Sequence, residues 1–178
     1  MFAGSSIRSS IYELVSLFAR EASNRRYYAK MDQSLNRLLQ ASSKPDEYLS
    51  KVEKTPKAPE WKASLKNYNP DRTTVEGLSR VKEKVTLVCF SAYWCKDCLK
   101  RVPELAITLR KAKNKNLRLA ILDYDQNRKL VEETGVKAIP TFMVFGARGT
   151  EAGRIVENPS PPFKSIGEEL LSIIASKK

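Results

Sequence analysis

From Ser10 to about Ser42 the apolar residues Ile11, Leu14, Val15, Phe18 and Ala22, then Met31, Leu35, Leu38 and Leu39, recur at helical spacing. That periodicity predicts one long amphipathic helix or two. Asp46 to Val52 reads as a further short helix after Pro45. The string Thr55-Pro56-Lys57-Ala58-Pro59 predicts a break and the best site for a linker, because proline lacks an amide and restricts the residue before it. Asn67 to Asp71 supplies a turn, and Asp71 or Thr73 can cap a helix running to about Lys84.

At Val85 the pattern changes. Val85 to Phe90 is a short, β-branched and almost wholly apolar run, as expected of a strand buried on both faces. A helix from Cys95 to about Lys113, kinked at Pro103, should follow. Leu117 to Tyr124 predicts a second strand, and Asn127 to Thr134 a helix closed by Gly135. Thr141 to Phe145 and Glu151 to Val156 predict two more strands joined by a turn, and Phe163 to Ala175 a closing amphipathic helix. This order builds an α/β architecture, a mixed sheet with helices on both faces.

Composition narrows the chemistry. With 42% hydrophobic and 29% charged residues over 178 positions, the chain reads as folded rather than disordered, with one principal core and no apolar run long enough to span a bilayer. The first twenty residues lack a continuous apolar segment followed by a small-residue cleavage site, so a cytoplasmic location is the default expectation. Histidine is absent, which removes the commonest general base and the commonest nitrogen ligand. The net charge of +12 favours anionic partners in a general way.

Three cysteines do not form a stapled secreted framework, but two of them, Cys95 and Cys98, straddle a strand-to-helix junction. Residues three apart in the first helical turn have α-carbons about 5–6 Å apart, within disulfide range. The positive end of the helix favours a thiolate at its first residue. Cys95 is therefore the expected nucleophile and Cys98 the resolving thiol of a two-step disulfide exchange that requires no metal or organic cofactor. The same pair could instead be part of a zinc site or inert core, since CxxC alone is a weak motif; against zinc, there is no second CxxC and no histidine.

Several separated motifs agree in order: the apolar strand, Ala92-Tyr93-Trp94-Cys95-Lys96-Asp97-Cys98, Pro103 in the next helix, and Val136-Lys137-Ala138-Ile139-Pro140-Thr141-Phe142. In these the chain resembles the thioredoxins from about Val85 to Lys178. The resemblance implies a thioredoxin fold carrying an additional N-terminal helical extension, with the extension over 1–58 and the thioredoxin-like domain over 59–178. It also implies a cis Ile139–Pro140 bond facing the cysteines, with the Ile139 backbone free to bind a substrate strand edge-on, and a Trp94 indole on the docking surface. In thioredoxins a buried aspartate stands six residues before the first cysteine. Here that position is Cys89, and the family's partnering lysine aligns with Ile121, so Asp97, Asp123 or water is left as base for Cys98. Cys89 itself reads as a small buried hydrophobe. Lys96 and Asp97 pull on the Cys95 thiolate in opposite directions. Glu157-Asn158 fall where thioredoxins usually keep a glycine.

The family implies protein disulfide substrates and an electron-donor reductase. The alternative is a thioredoxin-fold adaptor with little turnover. Lys96, Lys100, Arg101, Arg110, Lys111, Lys113 and Lys115 make the active-site helix basic, which reads as a solvated face. With no aromatic-interleaved motif beside it, nucleic-acid binding is not expected. The N-terminal apolar stripe is expected to pack over the sheet.

Overall fold

The structure, a computed structural model, describes residues 33–176. Four strands form its sheet: β1 (Val85–Ser91), β2 (Leu117–Asp123), β3 (Thr141–Phe145) and β4 (Glu151–Val156). Their spatial order is β2-β1-β3-β4. β1 runs parallel to β2, while β3 is antiparallel to both β1 and β4. The sheet is therefore mixed, as the strand and helix order predicts.

Alternation along the central strand divides the interior into two cores. Leu87 and Cys89 face one side and Val88 and Phe90 the other, all four without solvent exposure. On the first side pack α2 (Pro45–Val52), α3 (Ala58–Asn67), α4 (Arg72–Ser79), α5 (Lys96–Ala112) and α7 (Ile166–Ala175), through Tyr48 and Val52, Trp61, Leu78, Leu105, and Leu170. On the second side pack Leu35 and Leu38, from the helical stretch 33–41 that we label α1, and Val131 of α6 (Arg128–Thr134). The part of the expected N-terminal helix before residue 33 lies outside the described residues.

Three elements differ from the pattern-based expectation. The proline-rich linker gives way to α3, because Pro59 sits in the helix's first turn, where its missing N–H is no loss. The helix expected to reach Lys84 stops at Ser79. Its end is held by side-chain amides: Asn114 Nδ2 donates to the carbonyls of Leu78 and Val81, and Asn116 Nδ2 to that of Lys82. The last helix starts at Ile166 rather than Phe163, where the Ser165 hydroxyl accepts the Glu168 N–H and caps it.

The first core runs across position 58/59, since Tyr48 and Val52 share it with strand and helix residues on both sides of that point. Ser43 also makes paired backbone hydrogen bonds with Ile121, at 2.8 and 2.9 Å, on β2, the strand at one edge of the sheet. That covers part of an edge that would otherwise expose unpaired backbone groups.

Candidate active site

β1 ends at Ser91, and the chain turns through Ala92, Tyr93 and Trp94 to Cys95, the N-cap of α5. At that position a backbone N–H of the first turn needs an acceptor, and Cys95 Sγ supplies it, accepting the Cys98 N–H at 3.2 Å. The Cys95 thiol donates to the Ile139 carbonyl at 3.2 Å. Cys95 is 8% exposed and Cys98 not at all, so one sulfur borders the surface and the other lies behind it.

Their acidities diverge accordingly. Hydrogen bonds from the Cys98 side chain and from the Cys98 and Asp97 backbone amides favour the Cys95 thiolate. Against burial and the Asp97 carboxylate, they bring its pKa from 9.0 to about 7. Burial, followed by the neighbouring Cys95 and Cys89, drives Cys98 upward, opposed by an Ala92 backbone hydrogen bond and the Ser91 hydroxyl. Cys89, fully buried, is raised by desolvation and by Cys95. All three thiols are free.

The sequence-named residues meet at this point. The Ile139–Pro140 peptide bond is cis, and the Ile139 carbonyl lies on Cys95. Trp94, 48% exposed, donates its indole N–H to Asp125 Oδ2 at 2.7 Å. Lys96 is exposed at the first position of α5. Asp97 lies in the same turn and bears on Cys95; the leading influences on Cys98 are other groups. Asp123 Oδ1 accepts the N–H groups of Asp125 and Gln126. Glu157 adopts a left-handed backbone (φ 58°), a conformation that favours glycine, and donates its N–H to the Pro140 carbonyl at 2.7 Å. Of the basic set on α5, Arg101 is drawn inward to Glu104 and Asn158.

Four contributors were not anticipated. Tyr48 of α2 donates to Ser91 Oγ at 3.1 Å within the buried floor of the site. Trp61 of α3, 1% exposed, donates its indole N–H to the Tyr93 carbonyl at 3.0 Å and fixes the loop before the cysteines. Ser91 was within reach of the alternation rule, being two residues beyond Cys89 on the same face of β1; Tyr48 and Trp61 carried no such signal. Asp125, which anchors Trp94, also pairs with Arg128, and no spacing marks it.

Among the described residues, no group of three or more Cys, Asp or Glu side chains is placed to hold a metal ion. None of their helices is long and apolar enough to cross a membrane.

A family model described as thioredoxin matches residues 42–168. Mouse protein disulfide-isomerase A5 is 35% identical over 79 residues, a match covering 43% of this chain but only 14% of the isomerase. A protein of unknown function from Pseudomonas aeruginosa shares the fold, with a TM-score of 0.62 at 20% identity over 79% of this chain and 96% of its own. An HIV epitope-scaffold does so with a TM-score of 0.56 at 21% identity, over 79% and 93%.

Proposed function

The chain belongs to the thioredoxin family, and from that premise we propose that it is a thiol–disulfide oxidoreductase of the protein-disulfide reductase type, working through Cys95 and Cys98. The observation that carries this is the pair's asymmetry: a cysteine bordering the surface with a pKa of about 7, backed three residues on by a fully buried one that is held protonated. The Cys95 thiolate attacks a substrate disulfide, forming a mixed disulfide and releasing one substrate sulfur. Cys98 then attacks Cys95 Sγ; its proton leaves with the second substrate sulfur, and the Cys95–Cys98 disulfide forms. The substrate is reduced by two electrons and the dithiol oxidised by two. No metal or organic cofactor enters, and a separate electron-donor reductase restores the dithiol.

Protein substrates suit the surroundings. Tyr93 and Trp94 precede Cys95, and Val156 is the sheet partner of Thr141, the residue after Pro140. These are the large apolar side chains exposed among the described residues, at 37%, 48% and 44%, and all three flank the site. A substrate strand would lie along Ile139 and Pro140 with Trp94 beside it. The mouse relative is by name a disulfide isomerase, in keeping with this class of chemistry. A reducing compartment, the cytoplasm, suits a dithiol that acts as reductant.

Insulin reduction in the presence of dithiothreitol tests the proposal: the native protein should accelerate it and Cys95→Ser should not. A Cys98→Ser variant should accumulate mixed disulfides on Cys95. No acceleration by the native protein would refute the assignment.

A further inference from the structure

We propose that Tyr48 and Ser91 form a chain of two buried hydroxyl donors that ends on Cys98 and stabilises its thiolate as it forms during resolution. The inference rests on the exchange activity proposed above.

Three observations carry it. Tyr48 is 3% exposed and Ser91 not at all, and the phenol donates to Ser91 Oγ at 3.1 Å. Ser91 stands on the same face of β1 as Cys89, and Cys89 and Cys98 pack with Tyr48 in one buried core; within that floor the Ser91 hydroxyl favours the Cys98 thiolate. With the Ser91 oxygen occupied by the Tyr48 proton, its own proton is free to point at that sulfur. Tyr48 is locked in place by its edge-on contact with Trp61, ring centroids 6.0 Å apart.

The chain donates and does not act as a base. Burial and the nearby Cys89, Cys98 and Asp123 hold the phenol well above its usual pKa, so it stays protonated. A donor aimed at charge that appears only in the reacting state lowers the barrier to that state. The balance is unchanged from the exchange above: Cys98 loses its proton to the departing sulfur, the Cys95–Cys98 bond forms, and the hydroxyls keep their protons. In this assignment Ser91 is the donor to the reacting sulfur, and Tyr48 is a positioning residue acting through Ser91.

The reduced full-length protein is mixed with excess dithiobis(nitrobenzoate), whose released thiolate is coloured, so that attack by Cys95 and then by Cys98 appear as two phases. Tyr48→Phe and Ser91→Ala should each slow the second phase about tenfold relative to the first, the scale of a hydrogen bond to a charged group. The double variant should be no slower than Ser91→Ala, because the two act in series. The pH profile of the second phase should move upward in both; Cys89, Cys95, Tyr48 and Asp123 are the other titratable groups bearing on this cluster. A second phase within twofold of wild type in both variants, or equal slowing of both phases, overturns the inference and leaves the exchange activity standing. A wild-type protein that never releases the second equivalent refutes the activity and the inference with it.

Discussion

Cys95 and Cys98 are the same residue type three positions apart, and their surroundings give them opposite acidities. The amides of the helix start are aimed at Cys95, while Cys98 is sealed behind it. Alkylation of the native reduced protein by iodoacetamide should therefore rise with pH to half its maximum near pH 7 at Cys95, with Cys98 and Cys89 modified only after denaturation. The folded pKa of about 7 lies below the ordinary 9.0, so the thiolate's contribution is complete above about pH 9 and fades as pH falls through about 7. Denaturant unfolding of the reduced protein should show the advantage of wild type over Cys95→Ser growing from pH 7 to pH 9. At this scale the motif residues were legible, because CxxC at a strand-to-helix junction fixes both spacing and dipole. The resolving thiol's surroundings were only half legible: alternation along β1 puts Ser91 beside Cys89, but nothing local to Tyr48 says that its ring reaches the same place.

The elements that were legible are those whose pattern has one period and clear ends. The apolar run Thr141 to Phe145 marks β3 at its observed bounds, β4 follows it across the Gly146-to-Thr150 turn, and Gly135 closes α6 at φ 68°. α3 was not legible, because proline signals a break and a first helical turn equally well, and the proline-rich string masks the helical spacing of Trp61 and Leu65 that follows it. Trp61→Ala should cost about 3–5 kcal/mol in denaturant unfolding, since it empties a fully buried site and frees the Tyr93 carbonyl. α5 ends on Lys113, which caps it in a left-handed conformation (φ 49°). Lys113→Gly should raise stability by up to about 1 kcal/mol, read as a higher denaturation midpoint with unchanged slope.

For the whole molecule, the placement of the four strands, a single principal core and the packing of Leu35 and Leu38 follow from pattern, whereas the particular contacts that join early and late segments do not. Long-range contacts such as Tyr48 with Ser91, or Ser43 with Ile121, have no signature in local periodicity. A fragment beginning at residue 59 should be largely unfolded by circular dichroism. Losing the burial of Leu35, Leu38 and Val52 alone removes roughly 5 kcal/mol or more, comparable with the total stability of a small domain. A fragment with wild-type stability would mean that α1 and α2 are accessories. Through their packing, the molecule leaves one cysteine at the border of its surface and withholds the other, and its proposed function depends on those two sulfurs bonding reversibly. The most direct measurement is equilibration of the full chain across glutathione redox buffers, followed by alkylation and mass analysis. A Cys95–Cys98 disulfide should rise from absent to complete with a single midpoint while Cys89 stays a free thiol. Two thiols that remain unlinked in every buffer would contradict it.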